Sequence, residues 1–89
     1  MFRQDPEHAA EYLNSVLMDG DEADLMIALR SLSKAFGGVA EVARQADVNA
    51  HTLYRTLSEK GNPELKTLSA ILRAMGMRLA IQPIEHTHA

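Results

Sequence analysis

The chain contains no cysteine. That excludes a disulfide framework and any thiolate metal site. No apolar run approaches the roughly 20 residues a membrane helix needs, so no membrane span is expected. Met1-Phe2-Arg3-Gln4-Asp5 leads straight into a capped polar helix rather than a secretory signal, which gives the expectation of a cytoplasmic protein. Constellations for catalysis are missing too. There is no nucleophile elbow, no glycine-rich phosphate loop and no carboxylate pair at a pocket-forming spacing. Ser31, Ser33 and Ser58 fall in helices or at helix ends with no base beside them, and His51 falls on an exposed helix face without a partner. No catalytic residue, cofactor or enzyme activity is therefore expected. His86 and His88 look like half of a metal site, but no acidic or thiol ligands accompany them, and the sequence reads as a frayed tail with no metal.

An excess of positive charge is also lacking, since the net charge is −3. Its distribution matters more than its sum. Residues 1–25 set Arg3 against Asp5, Glu7, Glu11, Asp19, Asp21, Glu22 and Asp24, a net of −6. Residues 26–89 carry eight Lys/Arg against Glu41, Asp47, Glu59, Glu64 and Glu85, a net of +3. An acidic N-terminal segment thus precedes a mildly basic body. The body suits phosphates, and the acidic segment suits something basic.

What is present is organised around residues 39–57, VAEVARQADVNAHTLYRTL. A first short helix over 39–46 carries Val42, Ala43 and Ala46 on one stripe. Ala43 is small where a second helix should cross. Asp47 occupies a turn position that demands φ > 0, which Asp tolerates. Val48 should enter the core, and Asn49 is a good N-cap for a second helix over 50–58. Leu53 and Leu57 share the buried face of that helix. Asn49, His51, Thr52 and Arg55 remain outside, with the donors and acceptors that read base edges. This is the pattern of a helix-turn-helix that lays its second helix in the DNA major groove. The competing reading is a plain αα-hairpin whose polar face is only solvated.

Around this motif the sequence predicts one domain, 1–89, of five helices. Asp5-Pro6-Glu7 starts a helix over 6–18, with Ala9, Leu13, Val16 and Leu17 on its apolar stripe. Asp19-Gly20 breaks it, and Asp21 caps the next, 22–36, with Leu25, Ala28, Leu29, Leu32, Ala35 and Phe36 inward and Arg30 and Lys34 exposed. Gly37-Gly38 stops that helix, and the pair would also let backbone N–H groups approach a phosphate. After a loop at 58–63, in which Lys60 is either a DNA-backbone contact or a solvated lysine, a fifth helix over 64–75 aligns Leu65, Leu68, Ile71, Leu72 and Met75. Residues 77–82 then change period. Met77, Leu79 and Ile81 alternate with Arg78, Ala80 and Gln82, which predicts a short β-strand. One strand cannot satisfy its own backbone, so its partner should be the same strand of a second copy, making a homodimer, or a strand of another protein. An extended tail on the chain's own surface is the third option.

These elements bear a resemblance. Asp5-Pro6-Glu7, Tyr12-Leu13-Asn14, Asp19-Gly20-Asp21, Val42-Ala43-Arg44-Gln45-Ala46, Leu53-Tyr54-Arg55-Thr56-Leu57-Ser58, Gly61-Asn62-Pro63, Leu68, Ile71-Leu72-Arg73-Ala74-Met75-Gly76 and Leu79 resemble the addiction-module antidote family. These are HigA-like antitoxins with a lambda-repressor-type (XRE) helix-turn-helix, and the resemblance runs from about Asp5 to Ile81. It implies an all-α, lambda-repressor-like domain, here with a C-terminal strand. It also implies a type II antitoxin that neutralises a small basic toxin of the RelE/ParE/HigB type and represses its own operator as a dimer. On that expectation His51, Thr52 and Arg55 read bases, and Arg44, Asn49 and Lys60 hold phosphates. Glu7, Glu11, Asp19 and Asp21 meet the toxin by charge complementarity, unless they form an ordinary solvated acidic face. Asp47 replaces the common turn Gly, and the net acidity suggests that operator affinity depends on dimerisation or on toxin. Two alternatives stay open: a prophage-type regulator of the same fold with no toxin, and an interaction module that has lost DNA binding.

Overall fold

The computed structural model describes residues 5–58 and 60–84. Five helices follow one another: α1 Pro6–Asp19, α2 Glu22–Ala35, α3 Val39–Ala46, α4 Ala50–Thr56 and α5 Leu65–Ala74. Local chemistry sets most of their ends. Asp5 Oδ1 accepts from the N–H groups of Glu7 at 3.1 Å and His8 at 3.4 Å, with Pro6 in the first turn where its missing N–H costs nothing. Asp21 and Asp24 form a reciprocal capping box. The Asp24 N–H donates to Asp21 Oδ1 at 2.9 Å, and the Asp21 N–H donates to Asp24 Oδ2 at 3.1 Å. At the far end of α2 the chain turns through Gly37 and Gly38, with φ of 106° and 103°, and the Gly38 N–H closes onto the Ser33 carbonyl at 2.8 Å.

The core is aliphatic. Leu29 and Leu32 from α2, Val39 and Val42 from α3, Leu53 and Leu57 around α4, and Ile71 and Met75 around α5 are fully buried. α3 is the hub, packing on α2, α4 and α5, while α1 lies against α2. Ala43 is buried as the helix crossing requires, and a larger side chain there would separate α3 from its neighbours. Ser33 is the one buried polar side chain among the described residues, and its hydroxyl donates to the Leu29 carbonyl at 2.8 Å. The sequence stripe missed Ser33 and Met26, both buried on α2.

Four expectations need correction. Leu17 is 59% exposed, because it faces an open apolar groove and not the core. Leu65 is 71% exposed, since it stands in the first turn of α5, ahead of Leu68 where packing on the core begins. Most consequential is the strand expected over 77–82. No strand forms among the described residues. Met77 donates its N–H to the Leu72 carbonyl at 2.8 Å and packs against the core, finishing α5. Leu79 is half covered and Ile81 is fully exposed, so the three do not share one buried face. The physical reason is that a single chain offers this segment no second strand. α4 also ends earlier than expected, at Thr56. His86 and His88 lie outside the described residues.

Candidate nucleic-acid interface

Asp47 sets the angle between α3 and α4. It adopts the left-handed conformation, φ 59° and ψ 43°, and is the one non-glycine residue with positive φ among those described. Its carboxylate-bearing side chain tolerates this region better than a branched one would. The Val48 N–H then closes onto the Ala43 carbonyl at 2.9 Å, and Val48 packs on the core. Asn49 Oδ1 accepts from the Thr52 N–H at 3.0 Å and so starts α4.

With Leu53 and Leu57 buried, the opposite face of α4 is exposed and carries His51, Thr52 and Arg55. At 100° per residue these three fall within one arc, with Tyr54 on one flank and Thr56 on the other. A shallow groove borders each flank. One, of about 300 Å³, is lined by Thr52, Arg55, Thr56, Gly61 and Asn62. Gly61 is required there, because a Cβ would overlap the Thr56 carbonyl oxygen as the loop folds back over the end of α4. The other groove, of about 530 Å³, lies between α2 and the segment after α4. It is lined by Ile27, Arg30, Ser31, Lys34, Leu57, Ser58 and Lys60. The Arg30 guanidinium sits over the Tyr54 ring, 5.6 Å from its centroid.

The expected phosphate contacts separate in space. Asn49 is at the start of α4 with its oxygen committed to the cap. Lys60 is on the rim of the second groove, with Arg30 and Lys34. Arg44, on α3, is held by Glu41. Its Nε donates to Oε1 at 3.0 Å and its Nη2 to Oε2 at 2.5 Å, and Gln45 adds a third hydrogen bond at 2.7 Å. The Arg44 hydrogen bond, helped by Gln45, pulls the Glu41 carboxyl down to about 2 and raises the Arg44 guanidinium. Arg44 is therefore partnered on its own helix, in an exposed pair that water and salt screen. The i, i+3 spacing of the pair was readable in the sequence. The groove holding Arg30, Lys34 and Lys60 was not, since it joins parts of the chain that only the fold brings together.

The four acidic residues form no single cluster. Glu7 and Glu11 lie one turn apart on the first half of α1, exposed. Asp19 ends α1, about 18 Å farther along the axis than Glu7. Asp21 spends its carboxylate on the capping box. Among the described residues no group of three or more His, Asp or Glu is placed to hold a metal ion, and no helix is long and apolar enough to cross a membrane.

Comparison with known proteins gives these results. A family model described as "Probable addiction module antidote protein" matches residues 2–83. An uncharacterized protein of Haemophilus influenzae is 28% identical over 71 residues, covering 80% of this chain and 72% of that protein. No solved structure matches the chain.

Proposed function

From the premise that the chain belongs to the probable addiction module antidote protein family, we propose that it is an antitoxin that also represses its own operator as a dimer. An antidote implies a toxin, and the family supplies that half of the reading. The observation that carries the DNA half is the α3–Asp47–α4 unit. A left-handed turn, a capped second helix and an outward set of His51, Thr52 and Arg55 are the parts a major-groove reader needs. The protein acts by binding and not by catalysis. In a dimer the two α4 helices would enter successive major grooves, about 34 Å apart or a multiple of it.

The toxin is of the RelE/HigB type, small and basic, and the exposed carboxylates of α1, Glu7 and Glu11, with Asp19 at its end, are its charge-complementary contact. Dimerisation uses the segment after α5. Among the described residues the N–H groups of 78–82 and 84 make no hydrogen bond, Pro83 has none to offer, and Leu79, Ile81 and Ile84 are exposed. Unpaired backbone beside exposed apolar side chains is a template for pairing with another chain. Residues 77–80 and 82 form one wall of a groove of about 240 Å³ whose lining also includes Leu13, Leu17, Leu68 and Leu72.

Co-expression with the adjacent reading frame tests the first half. The neighbour should be toxic alone, harmless with this chain, and recovered with it in one complex. A clean homodimer that leaves the neighbour unbound would move the reading to a regulator without a toxin. For the second half, Arg55→Ala should weaken binding to the upstream region of its own gene by about 1–3 kcal/mol in an anisotropy titration. Unchanged affinity removes Arg55 from base reading.

A further inference from the structure

We propose that the cleft between α2 and the end of α4, formed by Arg30, Lys34 and Lys60, is the seat for a phosphate backbone beside the recognition helix. This rests on the DNA-binding reading above and deepens it. Arg30 and Lys34 stand one turn apart on α2, and Lys60 faces them from the loop that leaves α4. Ser31 adds a hydroxyl to the same walls, the Ser58 hydroxyl donates to the Arg55 carbonyl at 2.8 Å, and no carboxylate is among the described lining residues. Glu59 lies outside the described residues. Among those described, Arg44 is the only Lys or Arg in an ion pair, so none of the cleft's three cations is paired with a described carboxylate.

Position makes this more than a basic patch. The base-reading arc of α4 is bounded on one side by Tyr54, and Arg30 lies over that ring. The cleft therefore begins where the arc ends. A helix seated in a major groove about 12 Å wide has a sugar-phosphate strand along each flank. Cations on the flank of α4 meet one of those strands while His51, Thr52 and Arg55 face the bases. The Arg30 Cζ lies 5.6 Å from the Tyr54 centroid, within cation–π reach, which places this cation beside the α4 arc. A chain of net charge −3 needs such local concentration of positive charge. Arg44, which the sequence marks for this task, is paired with Glu41 on the surface of α3.

The test is the salt dependence of binding, measured on a duplex from the upstream region of the chain's own gene and on a scrambled duplex. It is run on the chain alone and on its complex with the neighbouring gene's product. Lys34→Gln and Lys60→Gln are exposed changes that should leave the thermal melt unmoved. Each should weaken binding to both duplexes alike and lower the slope of log K against log salt by about 0.9 per lost phosphate contact. Arg44→Gln should move the slope less. Should the double variant keep the wild-type slope while Arg55→Ala still weakens the upstream duplex, the cleft is not the phosphate seat and the DNA reading stands. Unmoved slopes with poorer recovery of the neighbour's product would assign the cleft to a protein contact instead, overturning the proposal. If the wild type binds neither duplex at low salt in either form, the DNA reading fails and this proposal fails with it.

Discussion

Between Gly37 and Leu57 the chain closes its own turns, whereas among the described residues it closes none between Arg78 and Ile84. In the first region Gly38 bonds back to Ser33, Val48 to Ala43, and Thr52 to Asn49. Each closure spans five residues or fewer, and the apolar side chains between them reach a shared core. In the second region the backbone donors find no acceptor, and Ile81 stands 100% exposed. The two regions have similar apolar content but different sources of order. Short-range chemistry orders the first region, while the second runs along the surface with its backbone donors unpaired among the described residues.

Substitutions sharpen this contrast. The largest effect belongs to Leu53→Ala, which removes a fully buried side chain from α4. It should cost about 2–5 kcal/mol and lower the melting temperature by roughly 4–8 °C per kcal/mol. A melt unchanged by it would mean that α4 is not packed. Next comes Asp47→Val, which forces a branched residue into the left-handed region and should cost about 1–2 kcal/mol, while Asp47→Gly at the same position should not destabilise. Equal losses from the two would show that the carboxylate, not the backbone, matters. Asn49→Ala removes the cap on Thr52 and should cost about 1 kcal/mol by denaturant titration. Smallest for the monomer is Ile81→Ser, within about 0.5 kcal/mol. Its effect should appear instead as weaker self-association in sedimentation. A large loss of monomer stability from Ile81→Ser would erase the distinction between the regions.

The same contrast explains what could be read before any fold was known. Four helices were legible because their signals are local: Asp5 with Pro6, Asp21 with Asp24, the glycine pair, Asp47 and Asn49; α5, with no side-chain cap, was legible from its apolar period. His51, Thr52 and Arg55 were legible as one exposed face because Leu53 and Leu57 fix the helix phase. The strand at 77–82 was read from alternation alone, and alternation says which side chains share a face without saying that a neighbour exists. Leu17 and Leu65 were misread similarly, since period places them on the stripe but cannot tell how far the covering helix extends. The separation of Arg44 from the free cations needed coordinates, as did the meeting of α2 with Lys60.

Tyr54 beneath Arg30 has an optical consequence. The chain has no tryptophan and two tyrosines, so those two rings carry its intrinsic emission. Tyr12 packs against the core from α1, and Tyr54 borders the exposed face of α4. An event at the interface perturbs one emitter, whereas loss of the fold perturbs both. Both rings emit in one band, so Tyr12→Phe would leave a single reporter beside Arg30 and Tyr54→Phe a single reporter at the core.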